Sequence, residues 1–313
     1  ATSGTTTLTK DDTSQFIYET ISGGTFTHNS GTLTITGDGR VKPRAGTGNF
    51  NNVILNASGN TIEQGADTTI DNDLTITAGE WSTGYSGFGY SNLTVTGDTS
   101  VTGTLTGNTS PVSLGSLEIV SGGTYNATSG TTTITAKTSD GYGIKGGGIF
   151  IHNNGEVKVT GNAYRFPVGA TYYDFTWDTS SEPCYLYSTA VGTATTGASG
   201  GATIDGTTNA QYTRIDGTLK INDRGFLPYN SHKVFVNNLI IGDNTDSANA
   251  TNFNFADNDV FDGVVIVNNV LINADGQLKF GDGDETSPTE GSSALEIRGA
   301  FRNLGGANGV TIT

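Results

Sequence analysis

Within NAYRFPVGATYYDFTWDTSSEPCYLYSTAVG the chain concentrates Tyr164, Phe166, Tyr172, Tyr173, Phe175, Trp177, Tyr185 and Tyr187. A phenol or indole ring stacks on the apolar face of a sugar while its polar end reaches the hydroxyls. Asp174, Asp178 and Glu182 stand among these rings as acceptors. Contact with a surface glycan or a protein partner would fall to Tyr164, Tyr172, Tyr173, Trp177, Tyr185, Tyr187, Asp174 and Asp178. A pair of the carboxylates could instead serve glycoside cleavage, although carboxylates in a polar loop are ordinarily solvated. A third reading needs no ligand. Large aromatics pack, and these would fill irregular coils or a contact between subunits.

Other groups with chemistry are more scattered. FGDGDETSPTE brings Asp282, Asp284 and Glu285 together, oxygen ligands of the kind calcium takes. The segment has neither the EF-hand pattern nor the glycine-rich calcium nonapeptide, so a solvated acidic turn is the alternative. His28, His152 and His232 lie far apart with no partner at metal spacing. No nucleophile-elbow, phosphate-loop or dinucleotide pattern is present. No residue is assigned a catalytic role, and calcium is the one cofactor the sequence suggests.

The 313 residues carry a net charge of −15. Such a surface repels a phosphate backbone and an anionic membrane, which speaks against nucleic-acid binding. No apolar run reaches the roughly 18 residues of a membrane span. With one cysteine, Cys184, the chain forms no internal disulfide. It has no methionine and ends in GVTIT, which reads as the inside of a strand. A processed product or a piece of a longer protein is therefore expected.

Only 34% of residues are hydrophobic and 14% charged, with 46 glycines. Thr, Ser, Asn and Gly fill the gap. This is the composition of many short strands joined by tight turns. An apolar–x–apolar phrase recurs at Leu33, Val53, Leu74, Leu93, Leu117, Ile149, Leu219, Leu239, Val270 and Leu295, mostly 19–25 residues apart. About eight residues after each phrase comes a second apolar or aromatic residue, such as Val41, Ile62, Trp81 or Tyr125, and a third apolar segment often precedes the next phrase. Phe50, Ile70 and Phe88 with Tyr90 are examples. Three short strands per 20–25 residues predict one coil of a parallel β-helix. The ten phrase residues then face inward, Leu33, Val53, Leu74 and Leu93 in one column, and the intervening threonines face water. About a dozen coils would give a rod on the order of 60 Å long.

The phrases GGTFTHNSGTLTITG, NFNNVILNASGNTIEQGADTTIDNDLTITAG and NLTVTGDTSVTGTLTGN resemble the repeat texture of β-solenoid fibres and appendage proteins of phages. They are also similar to large secreted adhesins of the filamentous-haemagglutinin kind. The resemblance covers about 20–160 and 215–313 and implies an elongated, non-enzymatic structural or adhesive fibre. It would be extracellular, on a virion or cell surface, and assembled as a homotrimer or filament. A polysaccharide-degrading tailspike is the alternative of another class. The organisation expected is an arm or cap at 1–20, coils at 21–160, an aromatic-rich irregular insert at 161–210, and coils at 211–313.

Overall fold

The computed structural model describes residues 3–9, 11–20, 24, 26–43, 49–85, 89–163, 165–167, 170–179, 184–187, 202–204, 207–209, 212–222, 226–228, 233–244, 251–254, 264–280, 294–304 and 310–312. Among these the chain is all strand and turn, without a helix, and nearly every strand pairs in parallel with the strand one coil away. The architecture is the parallel β-helix expected from the sequence. Each coil lays one strand on each of three faces, in the order first, second, third.

On the first face the inward column runs Thr6, Leu33, Val53, Leu74, Thr99, Leu117, Ile144. On the second face Ile62, Trp81, Leu105, Tyr125 and Phe150 are in register. The ring of Phe150 then meets that of Tyr172 at 5.4 Å, and the column continues as Tyr172, Ile215, Val236, Val267, Ile297. The third face carries Thr68, Leu93, Val112, Thr132, Val157, Phe175, Leu219, Leu239, Val270, Phe301. The interior is one thin apolar cylinder, in which each fully buried Leu, Ile or Val contributes about 1.5–3 kcal/mol.

The recurring phrase does not mark one face. Leu33, Val53, Leu74 and Leu117 lie on the first face, Leu93, Leu219, Leu239 and Val270 on the third, and Leu295 on the second. Leu74 is continued by Thr99, not by Leu93 as expected. The cause is an excursion after the second face. Gly84–Tyr85 and Gly89–Tyr90 pair as an antiparallel hairpin, so the chain reaches only the third face at Leu93. Tyr90, named with Phe88 as the third apolar segment of its coil, is 56% exposed on this hairpin, and Phe88 lies outside the described residues. Ile149 is a second correction. In the strand Ile149–Ile151 the inward residue is Phe150, in register with Tyr125, while Ile149 and Ile151 point out at 37% and 43% exposure. A run of three apolar residues fits two registers, and one step reverses the faces. Leu295 is only partly buried.

The coil pattern also extends beyond its expected limits. Thr5–Leu8 and Asp11–Glu19, in the segment read as an arm or cap, pair in parallel with Thr32–Ile35 and Asp38–Lys42. Within 161–210, Asp174–Trp177 lies in register between Glu156–Val159 and the strand containing Leu219. Arg165–Pro167 pairs with Cys184–Tyr187. A second antiparallel hairpin joins Ala202–Ile204 to Thr207–Asn209.

Candidate binding surfaces

The aromatic cluster is divided by the pleat. In the strand Asp174–Trp177, Phe175 and Trp177 alternate inward and are fully buried, as are Tyr172 and Phe166. Their rings meet edge to face: Phe166 with Phe175 at 5.2 Å, Phe166 with Trp177 at 5.9 Å, and Tyr172 with Phe175 at 5.2 Å. Tyr172 and Trp177, expected as contact residues, are buried in the core. Among the described side chains of this group, Tyr173 stays at the surface, stacked on His152 at 5.9 Å and 23°. Tyr164 and the side chains of Tyr185 and Tyr187 lie outside the described residues, as does Glu182.

The two carboxylates are occupied with holding corners. Asp174 accepts the backbone N–H of Thr218 at 2.6 Å, and a Cβ on Gly217 would collide with it. Asp178 pairs with the Lys158 ammonium at 2.6 Å and accepts from the Asn222 amide at 3.2 Å. The hydrogen bond to Asp178 raises the pKa of Lys158 above its ordinary value. The same capping recurs along the helix. Asp73 accepts the N–H of Asp98 at 2.9 Å, and Asp275 accepts those of Asp243 and Asn244 at 3.1–3.2 Å. Corner carboxylates thus satisfy N–H groups that the turns leave without strand partners. Among the described residues no three of His, Cys, Asp and Glu are grouped to hold a metal ion, and Asp282, Asp284 and Glu285 lie outside them.

A pair of related turns escaped the sequence reading. H-N-S-G at 28–31 and H-N-N-G at 152–155 fold alike. Gly31 and Gly155 donate to the carbonyls of His28 and His152, each at 2.8 Å. The central residues Asn29, Ser30, Asn153 and Asn154 all have positive φ, between 45° and 59°. Each imidazole Nδ1 accepts the N–H two residues on, at 2.9 Å. The proton therefore sits on Nε2, and in His28 it is donated to Asp71 at 3.2 Å. The signal was the repeated tetrapeptide, not the spacing between histidines.

What the molecule offers to a partner is the outside of its faces. On the second face two outward columns run Thr61, Glu80, Thr104, Thr124, Ile149 and Glu63, Ser82, Thr106, Asn126, Ile151. The first four coils are polar and cross-linked: Thr106 donates to Glu80 at 2.6 Å, Asn126 to Thr106 at 3.2 Å, and Arg40 to Glu63 at 3.1 Å. At the fifth coil both columns change to exposed isoleucine. Beside the polar part stands the hairpin of Tyr85 and Tyr90, with the Arg40 guanidinium 3.5 Å above the Tyr85 ring. Comparison with protein-family models, with curated proteins and with solved structures gave no match.

Proposed function

We propose that this chain is a shaft segment of a non-enzymatic extracellular fibre, most simply a phage fibre or appendage that assembles with copies of itself and serves surface attachment. The observation that carries the reading is the parallel pairing from coil to coil, continuous on the third face from Thr68 to Phe301, which directs backbone hydrogen bonds along one axis. Charged groups at the corners support it, because Asp73, Asp174, Asp178 and Asp275 each serve a neighbouring coil. Self-association as a homotrimer or filament is part of the proposal. Its contact would include Ile149 and Ile151, two aliphatic side chains where the preceding coils present Thr and Asn. A surface adhesin of a cell would use the same design, and the surroundings of the gene distinguish the two.

The test is imaging with sedimentation. Purified protein should form rods of constant width that sediment as an oligomer. Ile149→Thr with Ile151→Asn, copying the preceding coil, should release folded protomers. Globular particles, or an oligomer indifferent to these changes, would count against the fibre and its contact respectively. A polysaccharide-degrading tailspike would instead shorten host polysaccharide and lose that activity in Asp178→Asn.

A further inference from the structure

Where the first face turns into the second, successive corners differ in height. The chain takes five residues from Asn56 to Thr61 where the next coil takes two, from Ala78 to Glu80. Gly59 and Asn60 consequently stand out as a lip. The two corners that follow are sunk. Thr102 and Gly103 both donate to the Ile76 carbonyl, at 2.7 and 3.0 Å. A Cβ on Gly79 would strike the Ala57 carbonyl, and one on Gly103 would strike that of Gly79. The next corner rises again at Gly122, where φ is +89° and Gly123 closes a turn on Val120 at 2.8 Å. Between the two lips lies an open trough of about 340 Å³.

Its lining is built from consecutive coils. Thr61, Glu80 and Thr104 are in register on the outward side, so hydroxyl, carboxylate and hydroxyl follow one another about 4.8 Å apart. Asn60 adds an amide at the lip and Thr102 a further hydroxyl. Glu80 is fixed in place, because its Oε1 accepts from the Thr106 hydroxyl at 2.6 Å. Its other oxygen remains for a ligand donor.

We propose that this trough binds one neutral sugar residue of a glycan. The volume suits a unit of that size and is at the lower end for small-molecule sites. Hydroxyls on alternate ring carbons are separated by about the spacing of the coils, so one ring can address Glu80 together with Thr61 or Thr104 of an adjacent coil. The lining holds no aromatic and no basic side chain, which disfavours apolar and anionic ligands. Glu80 and a net charge of −15 repel uronic and sialic acids. One carboxylate falls short of the six to eight oxygens of a calcium cage. The site stands independently of the fibre reading, which particle shape tests.

The experiment is saturation-transfer NMR on the full chain with the methyl glycosides of glucose, galactose, mannose and N-acetylglucosamine, and with glucuronic acid as the anionic probe. At least one neutral glycoside should bind saturably. Glu80→Gln should weaken it about five- to tenfold by removing a charge-assisted bond. Thr102→Tyr, at an exposed position, should abolish it by filling the trough. Thermal melting shows whether each variant is folded, and Thr102→Tyr decides if Glu80→Gln is not. Failure of all four glycosides to bind, equal binding of glucuronic acid, or binding unchanged by a folded Thr102→Tyr would overturn the proposal.

Discussion

Trp81 and Trp177 are both fully buried, in coils several layers apart, yet their surroundings treat the indole differently. Trp81 donates its N–H to Oε1 of Gln64 at 3.1 Å, and Gln64 donates in turn to the Asn92 carbonyl at 2.6 Å. That relay ties the core to the base of the Tyr85–Tyr90 hairpin, where Asn92 also donates its N–H to Asp67 at 2.8 Å. Trp177 packs edge to face on Phe166 and stands in register between the buried Val159 and Ile221, and its Nε1 has no hydrogen-bond partner among the described residues. The first region uses a buried polar chain to anchor an excursion. The second uses ring volume to fill the cylinder. An aromatic residue in a β-helix thus reports a need for volume, and its polar end reports whether something outside must be held.

The largest effect tests the volume half of that comparison. Trp177→Ala and Trp81→Ala should each destabilise by about 3–5 kcal/mol, read as a fall in the urea midpoint. A Trp177→Ala protein with an unchanged midpoint would return that ring to the surface. The polar half is tested by smaller changes. Gln64→Leu strands the Trp81 N–H and should cost about 1–3 kcal/mol, and adding Trp81→Phe should recover part of it. Trp177→Phe has no bond to lose and should cost less than Trp81→Phe. Equal costs would mean that the relay through Gln64 contributes nothing.

The coil itself was legible because its cause is local: period-two alternation broken by glycine and asparagine every few residues. What stayed hidden was phase. LTITAGEW and LTVTGDTSV look alike, but the hairpin between them moves Leu93 to another face, and nothing in either phrase records that. In DFTW the alternation of Phe175 and Trp177 was present and marks them as inward, although the density of rings around them left a contact surface and core packing both open. Asp174 and Asp178 flank that same strand, where corners need acceptors. The trough was hidden for a different reason. It depends on the height difference between Gly59, Gly79, Gly103 and Gly122, which exists only once coils are stacked.

Threonine sharpens the comparison further, because it too occurs on both sides of the sheet. Outward Thr61 and Thr104 meet water, whereas Thr99 lies in the inward column between Leu74 and Leu117. Its hydroxyl is buried without a hydrogen-bond partner. Valine has the same shape and no such group to desolvate, so Thr99→Val should stabilise by about 1 kcal/mol. Thr132 is the contrasting case. It is equally buried, but its hydroxyl meets that of Tyr125 at 2.7 Å, and Thr132→Val should destabilise. Calorimetric melting of the two variants should move in opposite directions, and a shared direction would show that burial alone, irrespective of pairing, sets the sign.

The smallest effect concerns the turn at His152, beside the aromatic region. Burial lowers the pKa of this imidazole below its ordinary value of 6.5, and the Asp216 carboxylate opposes that shift in part. The cause has a structural counterpart: Nδ1 accepts the Asn154 N–H and must stay unprotonated to do so. Folding therefore favours the neutral ring. The stabilisation is complete above pH 6.5, where both states are neutral, and it is lost as pH falls through the lower folded-state pKa. His152→Asn keeps an acceptor oxygen near the turn and removes the titration, so the two proteins should converge in stability toward acid pH and diverge above it. Urea midpoints measured from pH 7.5 down to 5 give the difference directly. A difference constant across that range would mean that the imidazole holds the turn by its shape, stacked on Tyr173, and that its proton takes no part.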